Sequence, residues 1–321
     1  MLAVLSPGQG AQKPGFLTPW LDLDGAADRL RWWSDLAGVD LVHLGTEADA
    51  EEIKDTAKTQ PLLIAAALLA AGELPLNGVS LVAGHSVGEL GAAALSGMLT
   101  PDAAITLAGV RGREMAAACA LEPTGMAAVL GGDEAELLAA LEAGGLYAAN
   151  RNGASQIVIA GALDALDKFA AAPPARTRVI KLAVAGAFHT PYMAPAEAAL
   201  AAVASSTATA DAARPQLSNA DGAAVTDGQE MLGRLVRQVT APVRWDLCMR
   251  TLAERGVTAV IELPPAGTLA GLVKRELKPG TPEIVTLNTP DDLAAAKDLI
   301  SRHSAPGSHD STPQARIGEQ S

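Results

Sequence analysis

The run Leu81 to Gly88, LVAGHSVG, constrains the fold of this chain more than any other segment. A short apolar run leads into Gly84-x-Ser86-x-Gly88, and glycines on both sides of a serine permit a sharp strand-to-helix turn. The continuation, ELGAAALSGML, is a small-residue helical segment able to pack closely beneath such a turn. Ser86 would then project its hydroxyl from the end of a sheet, at a helix N-terminus where free backbone N–H groups stabilise developing negative charge. Glycine-rich patterns of this length also occur as plain helix caps, so the setting around the serine carries the reading.

The remaining chain suits an α/β body. Its 321 residues can build a substantial core, and 49% are apolar while only 3% are aromatic, which favours close packing of small side chains. The formal charge of -12 disfavours nonspecific nucleic-acid binding. With only Cys119 and Cys248 present, and neither in a metal-like cluster, no disulfide framework or metal site is expected. MLAVLSPGQGAQ has neither the basic leader nor the long apolar core of a signal peptide, and Pro61 to Gly72 is too short to span a bilayer. A cytoplasmic protein without membrane segments, acting as a monomer, is the expectation.

Strands are predicted at Leu2–Leu5 and Ser80–Ala83, with helices near Ala26–Leu36, Thr59–Ala71 and Pro101–Ala118. The segment between the first two of these helices reads as a polar connector. This order favours a mostly parallel sheet in a large hydrolase-like body. The pattern then changes: strands at Met126–Leu130, Leu146–Ala149, Gln156–Ala160 and Arg178–Leu182 interleave with helices at Asp133–Ala143 and Leu163–Ala171. β-α-β-β-α-β is the order of a ferredoxin-like subdomain, placed at residues 123–184. The body is expected to be discontinuous, comprising 1–122 and 185–302. Its second part carries helices at Pro191–Ala204, Met231–Gln238, Asp246–Arg255, Thr268–Glu276 and Asp291–Ile300, and strands at Ala259–Leu263 and Glu283–Leu287. A Ser/Pro/Gly/His-rich tail, 303–321, is expected to be disordered.

A serine hydroxyl needs a base. His303 and His309 belong to the tail, and His43 has no partner motif. His85 adjoins Ser86, but neighbouring side chains diverge at a tight turn. His189, in AGAFHTP just before a helix, suits a group reaching across a cleft, its alternative being a helix cap or packing at the subdomain junction. The loop Pro7-Gly8-Gln9-Gly10-Ala11-Gln12 follows a strand, where open α/β sheets place ligands, and a Gln9 or Gly10 N–H could meet an oxyanion. It could equally be a plain turn. Arg111 and Arg113 share one helix, and either could clamp a substrate carboxylate or sit in a surface ion pair. No downstream carboxylate has the context of a triad acid.

Taken together, PGQGAQ at 7–12, GHSVGE at 84–89, RGREM at 111–115, the Ala149-Asn150 to Ile159 region, AFHTP at 187–191, SNADG at 218–222 and Gln238 through PVRW at 242–245 resemble the malonyl-CoA:acyl-carrier-protein transacylases. The match runs through most of residues 1 to about 300. The resemblance implies that Ser86 accepts the acyl group and His189 is its general base. It implies a backbone carbonyl orienting that histidine, with Gln238 in the matching stretch, and oxyanion donors at Gln9 and Val87. Arg111 matches the arginine that pairs with the malonyl carboxylate, Phe188 the malonyl-selective form, and His85 and Asn150 lie in supporting positions. The implied activity moves malonyl from malonyl-CoA to the phosphopantetheine thiol of acyl carrier protein through O-malonyl-serine, with no cofactor or metal. The implied partners are acyl carrier protein and a CoA thioester, for fatty-acid or polyketide synthesis, with Arg244 a possible part of the carrier surface.

Glu262-Leu263-Pro264-Pro265-Ala266-Gly267 departs from the family's Glu-Leu-Gly-Pro-Gly stretch, which puts the turn geometry there in question. Two other functions compete with transfer. One is a serine thioesterase or esterase, and the other is an inactive protein that only binds the carrier.

Overall fold

The computed structural model describes residues 1–304 apart from Ala154; the expected tail therefore lies almost wholly outside the described residues. The described residues include ten strands: β1 (Leu2–Ser6), β2 (Leu81–Gly84), β3 (Thr124–Gly131), β4 (Tyr147–Arg151), β5 (Gln156–Ala162), β6 (Thr177–Lys181), β7 (Gln216–Leu217), β8 (Ala224–Val225), β9 (Ala259–Glu262) and β10 (Glu283–Thr286). Its helices are α1 (Ala26–Ala37), α2 (Leu41–Thr46), α3 (Thr56–Ala71), α4 (Gly88–Ser96), α5 (Pro101–Cys119), α6 (Glu134–Ala143), α7 (Leu163–Ala171), α8 (Ala194–Ala204), α9 (Gly228–Arg237), α10 (Trp245–Glu254), α11 (Thr268–Glu276) and α12 (Leu293–Ser304).

The large sheet runs β10-β9-β1-β2-β7-β8, parallel except for the terminal β7–β8 hairpin. Alternation along β1 divides its side chains between two cores. Leu2 and Val4 join the helices α1 to α5, whereas Ala3 and Leu5 pack with Trp245, Met249 and Leu272 of α10 and α11. Both faces are therefore covered, and the C-terminal ends of β1 and β2 remain for the site. No helix among the described residues is long and apolar enough to cross a membrane.

A second, antiparallel sheet has the order β4-β5-β3-β6. Ala127, Val129, Ile157 and Ile159 face Leu137, Leu141, Leu166 and Phe169 on α6 and α7, giving this ferredoxin-like unit its own core. Its other face, with Met126 and Val158, turns toward the large body. Val243 ties the two together: its N–H donates to Ala149 O, and Arg151 N–H donates to Val243 O, each at 2.9 Å.

The connector after α1 is more ordered than expected, because Asp40 caps α2 by accepting from His43 N. The β7–β8 hairpin was not anticipated either. Two-residue strands carry no usable hydrophobic period, and only pairing with β2 defines them.

Candidate active site

Two glycines build the elbow by steric necessity. A Cβ on Gly84 would lie 2.1 Å from the Gly88 carbonyl carbon, and one on Gly88 would lie 2.2 Å from Ser6 O. The strand can therefore hand over directly to α4, with the chain passing hard against β1. Ser86 pays for this turn with a left-handed backbone, φ 54°, a conformation costing a side-chain-bearing residue about 1–2 kcal/mol. His189 is held the same way, φ 60°. Thr124 Oγ1 accepts from Ala187 N at 3.1 Å, and Thr190 Oγ1 donates to Ala187 O at 2.6 Å, fixing the loop that carries the histidine.

The two side chains meet: Ser86 Oγ lies 2.8 Å from His189 Nε2. On the opposite side of the ring, Nδ1 lies 2.8 Å from the Gln238 backbone carbonyl. A carbonyl only accepts, so Nδ1 carries the proton and Nε2 is left to accept from the serine hydroxyl. Burial, followed by the nearby Arg111 charge, pushes His189 down to about 3, so the resting imidazole is neutral.

Arg111 is only 2% exposed. Its Nη1 donates to Gln60 Oε1 at 2.6 Å and its Nη2 to Gln238 Oε1 at 2.9 Å, and Nη2 lies 3.3 Å from Ser86 Oγ. These partners are all uncharged. Among the described residues Arg111 forms no ion pair, and burial lowers it to about 10. A desolvated guanidinium held by neutral groups beside a nucleophile is a prepared anion site.

Below the serine lies a polar network. Asn219 Oδ1 accepts from Ser86 N at 2.8 Å, and Asn219 Nδ2 donates to Gly84 O at 2.8 Å. Glu89 accepts from Asn219 N and from Gln238 Nε2. Burial pushes the Glu89 carboxyl up to about 8, while these N–H donors and the Arg111 charge favour the ionised form.

The surrounding cleft, about 180 Å³, is lined by Gly8, Gln9, His85, Ser86, Phe188 and His189 from the body and by Met126, Asn150 and Val158 from the small sheet. The backbone N–H groups of Gln9 and Val87 make no hydrogen bond among the described residues. A site of this construction has relatives.

The acyl transferase domain family matches residues 5–299. The chain is 55% identical over 304 residues to the malonyl CoA-acyl carrier protein transacylase of Mycobacterium tuberculosis, covering 93% of this chain and all of that protein. The chain belongs to the malonyl-CoA:acyl-carrier-protein transacylase family. The crystal structure of MCAT from Mycobacterium tuberculosis superposes with a TM-score of 0.89 at 55% identity, covering 92% of this chain and 99% of that one. A second structure, of a type II PKS acyl-carrier protein in complex with its malonyl-transacylase, matches at TM-score 0.85 and 29% identity, over 92% and 99% of the two chains.

Within this transacylase fold, Ser86, His189, Arg111 and Gln238 come together, and Gln9, Val87 and Phe188 adjoin them. The His85 ring takes its partners elsewhere than at the serine. Its Nε2 lies 3.0 Å from Asn152 Oδ1, and its ring packs edge-on to Trp245 at 5.7 Å. Asn150 reaches the cleft with its Oδ1 buried and unpartnered. Arg113 is not part of the site, because its Nη1 donates to Ala37 O at the end of α1. Arg244 is engaged by Asp246 through two bonds, of 3.0 and 2.7 Å, which offsets its charge as a carrier contact. His43 and His303 also bond elsewhere, to Glu52 and Leu299 O.

Sequence reasoning missed Gln60, Asn152 and the partners of Glu89 and Asn219. The signal for Gln60 was present: it opens the apolar run of α3 yet is wholly buried, so it requires a polar partner. The Pro264-Pro265 departure leaves the turn intact. Glu262, itself buried, accepts from the N–H groups of Gly267, Leu269 and Ala270, closing the N-terminus of α11.

Proposed function

We propose that this chain transfers a malonyl group from malonyl-CoA to the phosphopantetheine thiol of an acyl carrier protein, with Ser86 as the acyl carrier within the site. The observation that carries this reading is Arg111, buried and without an ion-pair partner among the described residues, 3.3 Å from the nucleophile. A cation kept there at the expense of its solvation awaits an anion, and malonyl is an acyl group with a free carboxylate.

In the first half-reaction Ser86 Oγ attacks the thioester carbonyl while its proton passes to His189 Nε2. The oxyanion is met by the backbone N–H groups of Gln9 and Val87. The tetrahedral adduct collapses, the C–S bond breaks, and the imidazolium returns its proton to the CoA sulfur. In the second half-reaction the carrier thiol gives its proton to His189 and attacks the ester, and Ser86 leaves as the restored hydroxyl. The malonyl carboxylate on Arg111 also offsets the charge that depresses His189, so the base strengthens as substrate arrives. The Gln238 carbonyl keeps the imidazole in the required tautomer, a duty that in a triad falls to an acid. Phe188 at the cleft wall limits room for an α-methyl branch.

The test is intact-protein mass spectrometry after incubation with malonyl-CoA. One malonyl adduct mapping to Ser86, discharged by holo carrier protein to give malonyl-carrier, is expected. Release of free malonate without transfer would establish the hydrolase reading instead.

A further inference from the structure

Glu89 lies in the first turn of α4, three residues beyond the nucleophile, and is buried. Its Oε1 accepts from the Asn219 backbone N–H at 2.6 Å and its Oε2 from Gln238 Nε2 at 2.5 Å. It forms no ion pair among the described residues. Both donors belong to residues that hold the site. Asn219 bonds the backbone on either side of His85, at Gly84 O and Ser86 N. Gln238 Nε2 also donates to Ser86 O at 3.1 Å and to Asn219 Oδ1 at 3.2 Å, which leaves Gln238 Oε1 for Arg111.

We propose that Glu89 is a positioning residue for acyl selectivity, because its carboxyl oxygen, together with Ser86 O and Asn219 Oδ1, holds the NH2 of the Gln238 amide away from Arg111 and leaves the amide oxygen to the guanidinium. The reason is a count of donors and acceptors. A guanidinium has only donors, and a primary amide has one donor end and one acceptor end. With an acceptor at Glu89 beside Ser86 O and Asn219 Oδ1, the NH2 of Gln238 faces three acceptors and the oxygen is left for Arg111 Nη2. With an N–H at that position a donor faces the Gln238 NH2, so the amide is displaced from its place between Ser86 O and Asn219 Oδ1 and the guanidinium loses its aim beside Ser86. This inference rests on the malonyl-transfer reading of Ser86 and Arg111.

Glu89→Gln preserves volume and supplies that N–H. The Asn219 backbone N–H cannot turn, so it takes the new amide oxygen and the new NH2 faces Gln238. Formation of malonyl-enzyme and acetyl-enzyme from the CoA thioesters is followed by rapid-quench intact mass. Malonylation is expected to fall roughly ten-fold or more beyond any fall in acetylation, the scale of a hydrogen bond to a charged group. Equal losses on both substrates would overturn the proposal and leave Glu89 as support for the elbow alone. A measurement on the wild-type protein covers a variant that does not fold. The Gln238 side-chain amide proton, assigned by its absence in Gln238→Met, is expected far downfield and slow to exchange. An ordinary shift with solvent-like exchange would overturn the proposal. A wild type forming no malonyl-enzyme would instead sink the reading beneath it, and the amide proton would still decide the Glu89–Gln238 bond.

Discussion

Arg111 and His189 converge on one oxygen: the Ser86 hydroxyl lies 3.3 Å from the guanidinium Nη2 and 2.8 Å from the imidazole Nε2. A cation so close to a base disfavours its protonated form, and burial does so more strongly. The same pair therefore sets a cation beside the serine and keeps the imidazole unprotonated at rest.

Because His189 is depressed to about 3 from 6.5, its neutral form persists well below neutrality. The rate of serine malonylation should lose little to His189 protonation between about pH 8 and pH 5. His189→Ala should lower it by roughly 10²–10⁴-fold. Rapid-quench kinetics across pH checks both.

Stability should respond with the opposite sign to a salt-bridged histidine. Below about pH 6.5 the unfolded chain binds a proton at this position and the folded one does not, so folding free energy declines as pH falls through that value. Urea titrations of wild type and His189→Ala should show a shallower decline in the variant.

Arg111→Ala should reduce malonyl transfer by roughly 10²-fold or more, since a carboxylate would be buried unpaired, with a much smaller effect on acetyl transfer. Arg111→Lys should not restore it, because one ammonium cannot span Gln60, Gln238 and a substrate carboxylate together. Transfer assays with both thioesters provide the comparison.

Gly84→Ala should destabilise the fold by roughly 1–3 kcal/mol or more, since the new methyl meets backbone at 2.1 Å and cannot be relieved by a side-chain rotation. Gly271→Ala, inside α11 with only Arg275 Nη1 at 3.5 Å, should be neutral or stabilising by about 0.5–1 kcal/mol. Chemical denaturation of the two variants separates steric need from glycine's entropy cost.

Glu262→Gln should cost about 1–3 kcal/mol, because three N–H donors at the start of α11 share its two oxygens and an amide turns one of these into a donor. Thr268, Leu269 and Leu272 of the same helix line the cleft, so KM for the thioester should rise more than kcat falls.

The legible parts of this chain were those that follow from local chemistry. The elbow is written in Gly84 and Gly88, since only residues without Cβ allow backbones to touch there. The long elements were legible too, because helices such as α5 announce their start through Pro101 and the acidic Asp102, and β1 is a plain apolar run. Motif order then pointed to Ser86, His189 and Arg111 as a set. The short β7–β8 hairpin was not legible, having too few residues to show a period.

What a sequence cannot display is the identity of partners that every residue possesses. His189 is oriented by a main-chain carbonyl, which has no letter of its own, and only the packing of the segment after α9 against the cleft selects that of Gln238. The pairings of Glu89 with Asn219 and Gln238, and of Arg111 with Gln60, likewise join segments far apart in the chain. Local sterics determined where the nucleophile sits. Tertiary packing alone decided which groups surround it, because burial makes each polar atom depend on whatever the fold brings within reach.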